Sequence, residues 1–290
     1  MGFLGFGNYE NAGSGVSKNG PKKRPFFRFI DIYSSRFWKL CGLNFLYFIC
    51  CVPIVTIGPA TAGFTYVLRA FSQDRYADFV SDFFRVFKRD FKKSFLVGIV
   101  DVLLFTLIGF ALVFYYYNAM SVNKIYYFPF VIMLSMSFMI VIMHHYLYIM
   151  LVVSNLKIKQ MIKNSILLAY YEIKVNLITF IINFAVVAII LLIALTTPIS
   201  VWPFILLFIM LIPLSFMGLV ICFNSYPPIK KYVIDPYYKE LGQENPEDAE
   251  MNTEGQAVFK DRGGEEAPVK ISNSKNSRNN APKVKGKKIK

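Results

Sequence analysis

Long apolar runs alternate along this chain with short segments that carry most of the charged residues. The runs cover residues 37–71, 95–117, 128–153, 175–196 and 201–223. Each of the last four exceeds the roughly 20 residues that a helix needs to cross a hydrocarbon core of about 30 Å. Because backbone groups in hydrocarbon must bond within their own segment, and the runs lack a two-residue alternation, the pattern predicts transmembrane helices rather than a barrel.

The first run differs from the others because Pro53, Gly58 and Pro59 interrupt it near its middle. We expect two short helices of about 16 residues, each reaching only about 24 Å. Such a hairpin crosses the membrane twice where the bilayer thins, or dips into it and returns under the shield of other helices.

The distribution of Lys and Arg predicts the topology. Seven lie before or at the very start of the first span, seven lie between Leu68 and Ser94, four lie from Lys157 to Lys174, and thirteen follow Asn224, which leaves only Lys124. Short loops rich in Lys and Arg stay in the cytoplasm, so both termini are predicted to be cytoplasmic and the number of crossings to be even.

The predicted fold is therefore an all-α, polytopic transmembrane helical bundle of about six spans, the first two short and joined by a Pro/Gly turn. A polar cytoplasmic segment, residues 1–36, precedes the transmembrane domain, residues 37–223, and a mostly disordered cytoplasmic tail, residues 224–290, follows it. The predicted spans are about 37–54, 55–71, 94–117, 128–153, 175–197 and 201–223.

Two segments between spans have helical periodicity with one apolar face. Residues 76–91 place aromatic and apolar side chains three or four positions apart and fill the other positions with charges, and residues 158–171 repeat this pattern with fewer charges. Both predict amphipathic helices in the membrane plane. Anchoring to lipid is the simpler role, and docking to a partner is the alternative.

Composition agrees with an integral membrane protein. The chain is 55% hydrophobic and 17% aromatic, and its mean hydropathy is +0.45. The net charge of +14 does not predict nucleic-acid binding, because the basic residues crowd the membrane edges and the tail and form no recognition motif. The bilayer is the predicted partner. The four cysteines have no metal-ligand spacing, so neither a metal nor another cofactor is expected.

Polar side chains inside the predicted spans are candidate functional residues, because each is costly in hydrocarbon. Asp101 is the only carboxylate within a span, and the only two histidines of the chain lie at a similar depth, as do two asparagines. The candidate layer consists of Asn44, Asp101, His144, His145 and Asn183. These groups either hold a proton or a polar ligand, or serve only as hydrogen-bonding contacts between helices. The chain contains no phosphate loop, HExxH or GxSxG motif, so we do not expect an enzyme.

One stretch resembles a known family. The sequence NFLYFICCVPIVTIGPATAGFTYVLR, residues 44–69, begins with the Asn of a Leu-Asn pair, contains a P-x-x-T-x-G-P-A motif and ends in Arg. It resembles the YesL-like family of uncharacterised bacterial integral membrane proteins, in which Ala often stands at the position of Gly63. The matching residues are Leu43, Asn44, Pro53, Thr56, Gly58, Pro59, Ala60 and Ala62.

The candidate turn has a physical interpretation of its own. Its residues are Pro53, Thr56, Gly58, Pro59 and Thr61. The prolines interrupt the helix, the glycine permits close approach, and the threonine hydroxyls can bond exposed backbone groups. Broken helices of this kind line substrate sites in transporters, and a tight hairpin without a ligand is the alternative.

The resemblance implies a location in the bacterial cytoplasmic membrane and an accessory role in carbohydrate uptake or utilisation, since genes of this family commonly accompany those of ABC sugar transporters. A subunit of such a transporter is the implied protein partner. The alternatives are a secondary transporter or channel for a small polar solute, and a membrane signalling or structural protein.

Overall fold

The protein is helical throughout the part that can be described. The computed structural model describes residues 24–243, 245 and 248, and within these residues it has no strand. The predicted all-α class is confirmed. Residues 1–23 and nearly all of the predicted tail from residue 244 onward lie outside the described residues.

Eleven α-helices and four short turns of 3₁₀ or π geometry make up the described chain. The α-helices are α1 Pro25–Ser35, α2 Phe37–Cys51, α3 Ile57–Ser72, α4 Phe79–Arg89, α5 Phe91–Ser121, α6 Tyr127–Val153, α7 Ile158–Tyr171, α8 Ile173–Thr196, α9 Trp202–Leu211, α10 Pro213–Ile229 and α11 Asp235–Glu240. The 3₁₀ turns are Ile54–Thr56, Lys124–Tyr126 and Ile199–Val201, and the π turn is Lys230–Ile234.

Five helical stretches are long and apolar enough to cross a membrane, which identifies a membrane-type bundle. They are Ile54–Ser72, Phe91–Ser121, Lys124–Val153, Ile173–Thr196 and Ile199–Glu240. The remaining predicted span, residues 37–54, corresponds to α2, which is apolar but has only 15 residues. The six-span count stays a prediction.

Helix α3 lies at the centre of the bundle. It packs against α2, α4, α5, α6 and α10, and 13 of its 16 residues are buried. Its first half is rich in Gly and Ala, which let neighbouring backbones approach closely. The other long helices keep many large apolar side chains on the outside of the bundle, where lipid replaces protein contacts.

The amphipathic helix predicted over residues 76–91 forms as α4, and α3 covers much of its apolar face. Phe83 and Val86 are fully buried, and a Cβ atom on Gly63 of α3 would lie 2.8 Å from the carbonyl oxygen of Phe83. Helix α4 is thus fixed to the bundle by protein contacts as well as by any contact with lipid. The second predicted amphipathic helix forms as α7, with the predicted bounds.

The last predicted span, residues 201–223, differs in two respects. It consists of α9 and α10, which meet at Ile212 because Pro213 has no N–H to continue the hydrogen bonding of α9. Helical structure also continues past residue 223 to Glu240, since Val233, Ile234 and Tyr238 are buried against the bundle. The boundary predicted at residue 224 therefore falls inside a helix.

Candidate functional site: a polar cluster at a glycine crossing

The turn between α2 and α3 is held by side-chain hydrogen bonds. The Thr56 hydroxyl lies 2.6 Å from the carbonyl oxygen of Cys50 and 2.7 Å from that of Pro53. A hydroxyl has one proton, so it can donate to one of these carbonyls at a time, both of which stand where helical hydrogen bonding is interrupted. Pro59 lies in the first turn of α3, where its missing N–H costs nothing.

The same turn brings Gly58 of α3 into backbone contact with α5. A Cβ atom on Gly58 would lie 2.0 Å from the carbonyl oxygen of Ser94, and one on Gly98 would lie 2.6 Å from the Cα atom of Gly58. No larger residue fits at either position without displacing a backbone. The two glycines therefore fix the point at which the broken helix crosses α5.

One turn along α5 from this crossing, Asp101 faces two residues of α6. Its Oδ2 atom lies 3.4 Å from Nδ1 of His144, and the side chains are only 14% and 28% exposed. Neither of these two atoms has a hydrogen-bond partner among the described residues. The Tyr148 side chain lies close enough to Asp101 for an electrostatic interaction, and its ring lies 4.8 Å from the His144 ring.

Two tyrosines connect Asp101 and His144 to the candidate turn. Tyr148 lies close enough to Tyr47 of α2 for an electrostatic interaction, and the Tyr47 hydroxyl lies 3.2 Å from the Thr61 hydroxyl of α3. We call Tyr47, Thr61, Asp101, His144 and Tyr148 the polar cluster. It joins α2, α3, α5 and α6 at the glycine crossing.

The polar cluster can hold and transfer a proton. Asp101 and His144 lie at the limit of hydrogen-bonding distance, so one proton shared between the carboxyl and the imidazole turns their contact into a hydrogen bond or an ion pair. The hydroxyls of Tyr47, Thr61 and Tyr148 can both donate and accept. Within the described residues, no group of three or more His, Cys, Asp or Glu side chains stands where it could hold a metal ion.

The remaining members of the predicted layer make no hydrogen bond to this cluster within the described residues. Asn44 is fully buried, and neither polar atom of its side chain has a hydrogen-bond partner among the described residues. The Oδ1 atom of Asn183 is likewise buried without one. His145, next to His144, is half-buried and makes no side-chain hydrogen bond in the described chain.

Gly98, Tyr47 and Tyr148 are members of the site that the sequence did not single out. A signal was present, since Tyr148 stands four residues after His144 and Gly98 three residues before Asp101, which places each pair on one helix face. The tyrosines were overlooked because 18 tyrosines are spread along the chain.

A second set of polar contacts joins helices on another side of the bundle. The Tyr146 hydroxyl donates to Oδ1 of Asn176 at 2.6 Å, and Nδ2 of Asn176 donates to the carbonyl oxygen of Ala169 at 3.1 Å. Nδ2 of Asn224 donates to the Thr179 hydroxyl at 2.9 Å. These contacts link α6, α7, α8 and α10 and satisfy one another, as expected of purely structural hydrogen bonds between membrane helices.

Comparison with known protein families identifies part of the chain. Residues 40–116 match the model of a family described as a protein of unknown function, DUF624. This part of the chain is similar to that family. YesL-like proteins belong to this family, so the match supports the resemblance at family level, and the narrower name stays a prediction. No curated protein and no solved structure matches the chain.

The matched residues contain most of the site. They extend from Leu40 in α2 to Tyr116 in α5 and include the turn, the glycine crossing, Tyr47, Thr61 and Asp101. His144 and Tyr148 come from α6, outside the matched residues. The polar cluster is therefore completed only where α6 packs on the matched segment.

Proposed function

We propose that the protein is a non-enzymatic, multi-pass component of the bacterial cytoplasmic membrane that assists carbohydrate uptake or utilisation by contacting an ABC sugar transporter, with both termini in the cytoplasm. The carbohydrate part of this proposal rests on the resemblance to YesL-like proteins. The contact part rests on α4.

The observation that supports a contact is the second apolar face of α4. While Phe83 and Val86 pack on α3, Tyr76, Val80 and Phe84 are 75%, 42% and 37% exposed. Val80 and Phe84 are four positions apart on α4, and Tyr76 lies four positions before Val80 in the segment that leads into the helix. We call them the α4 row. Because the opposite face fixes α4 to the bundle, the row is held in a defined position for a permease subunit.

Co-purification in mild detergent tests this proposal. We expect the permease subunit of an ABC sugar transporter to co-purify with the native chain, and the triple change Tyr76→Ser, Val80→Ser and Phe84→Ser to abolish its recovery while the protein stays folded. A matched control changes Ile162, Ile166 and Tyr170 to Ser, since these have the same spacing on α7 and are 37%, 42% and 62% exposed.

Recovery of the permease with the control but not with the α4 variant supports the proposal. Equal recovery with both variants would leave the α4 row as a contact to lipid. Absence of any ABC permease from the native sample contradicts the accessory role itself.

A secondary transporter or channel for a small polar solute is the second candidate, and the polar cluster favours it. A carboxyl and an imidazole 3.4 Å apart next to a broken helix resemble the proton and substrate sites of transporters. Reconstitution into liposomes tests it. Solute or proton flux that is lost in Asp101→Asn but kept in the α4 variant supports transport, and absence of flux from the native protein contradicts it.

A further inference from the structure

A basic cavity lies where α4 meets α5. It has a volume of about 610 Å³ and is lined by residues 88–93 together with Asn155, which follows α6. Lys88, Lys92 and Lys93 are exposed side chains of this lining. The cavity stands at the start of α5, an apolar helix of 31 residues. In a helix that spans a bilayer, this end lies where the lipid headgroups meet the hydrocarbon.

The cations in this cavity exceed the anions. The only carboxylate in the lining, Asp90, is 5% exposed, and its Oδ2 atom accepts two hydrogen bonds from Arg89, at 3.0 and 3.3 Å. Arg89 also donates to the carbonyl oxygen of Val152 at 3.2 Å, which ties the α4–α5 junction to the end of α6. No carboxylate of the described chain forms an ion pair with Lys88, Lys92 or Lys93. Three positive charges therefore face the cavity without a counter-ion among the described residues.

An apolar stripe continues from the cavity along the outside of α5. Starting at Lys92, the residues at helical spacing on the same face are Leu96, Val100, Leu103 and Leu107. All four are exposed, Leu96 by 54% and Leu103 by 60%. A ligand that occupies both the cavity and the stripe has an anionic end and an apolar body about two to three helical turns long.

We infer that the cavity and the stripe form a binding site for one anionic phospholipid. Lys88, Lys92 and Lys93 hold the phosphate and its headgroup, and the acyl chains lie along Leu96, Val100 and Leu103. Basic pockets at the membrane surface recognise anionic headgroups through charge. A zwitterionic lipid adds a cation to a cavity that already has three, and a soluble phosphate leaves the stripe unused. This inference goes beyond the proposed function and holds or fails independently of it.

Lipid titration of the full chain in detergent, followed by native mass spectrometry, tests the site. The probes are phosphatidylglycerol and phosphatidylcholine with identical acyl chains. We expect tighter binding of phosphatidylglycerol. Glycerol 3-phosphate, which has the anionic group without the chains, should not displace the lipid at millimolar concentration.

Removing the positive charges of the cavity tests whether the lipid binds there. In Lys88→Gln/Lys92→Gln/Lys93→Gln we expect the preference for phosphatidylglycerol to fall on the order of 100-fold, since each lysine near an anionic group contributes a factor of about five. The matched control Lys159→Gln/Lys163→Gln/Lys174→Gln removes the same charge from exposed lysines on α7 and α8 and should keep the preference.

Three results overturn the inference. These are equal binding of the two lipids by the native protein, an equal loss of preference in the two triple variants, and displacement of the lipid by glycerol 3-phosphate, which would indicate a site for soluble phosphate esters. The comparison of the two lipids needs only the native chain, so the inference stays testable if a variant does not fold.

Discussion

Gly98 of α5 lies directly on Gly58 of α3, so closely that a Cβ atom on Gly98 would stand 2.6 Å from the Cα atom of Gly58. This contact sets the distance between the broken helix and α5. It also fixes the position of Asp101, one turn further along α5.

Adding a methyl group at this crossing should destabilise the fold. We expect Gly98→Ala to lower stability in detergent by about 1–3 kcal/mol, because the methyl group overlaps a backbone rather than a flexible side chain. Gly109→Ala is the matched control in the same helix, since nothing lies within 4 Å of the added atom. Thermal unfolding followed by size-exclusion chromatography measures both. Equal melting temperatures for the two variants would contradict the close crossing.

Asp101 and His144 should be energetically coupled. We expect Asp101→Asn and His144→Gln each to destabilise the protein, and the double variant to cost less than the sum by about 0.5–2 kcal/mol, since either single change leaves the other polar group buried without its partner. Unfolding free energies of the four proteins complete the cycle. If the two single changes add to within about 0.5 kcal/mol, the 3.4 Å contact does not contribute to the free energy of unfolding.

The hydrogen bond between Tyr146 and Asn176 should contribute to stability and not to activity. Tyr146→Phe removes a donor from a buried amide oxygen and should cost about 1 kcal/mol. Tyr117→Phe is the control, because this tyrosine is 68% exposed near the end of α5. Any flux or permease recovery should survive both changes, and a loss of activity in a folded Tyr146→Phe protein would place Tyr146 in a functional site.

Helix α4 should detach when its buried face is truncated. Phe83→Ala removes a fully buried ring and should cost about 3–5 kcal/mol of local or global stability, whereas Phe84→Ala, on the exposed row, should cost much less. Limited trypsin digestion reports detachment as faster cleavage between Arg75 and Lys93. Identical digestion of the two variants would contradict the packing of α4 on α3.

The predicted topology is open to direct measurement. Because the cations, apart from Lys124, lie in segments that six spans leave on one side, a reporter fused after Asp235 should report the cytoplasm and one placed within residues 119–124 the outside. An outside signal at Asp235 would contradict the six-span topology with cytoplasmic termini.

The sequence determined the class of the protein and most of its helix boundaries. Apolar length fixed the membrane-type helices, three- and four-residue periodicity predicted α4 and α7, and the prolines and glycine of the turn located the break between α2 and α3. Asp101 and His144 were also identified as candidates from the sequence, because a polar side chain within an apolar run is conspicuous on its own. All of these features are local in the chain.

Only the tertiary structure decided which of these residues meet. Gly98 looks like any glycine in an apolar helix until α3 lies against it, and Tyr148 becomes a member of the site because α6 places it beside Asp101. The same packing left Asn44 and Asn183 outside the polar cluster, although they were predicted at a similar depth. Depth follows from position along one helix, whereas contact depends on the rotation and crossing of several helices, which are set by packing between segments distant in sequence.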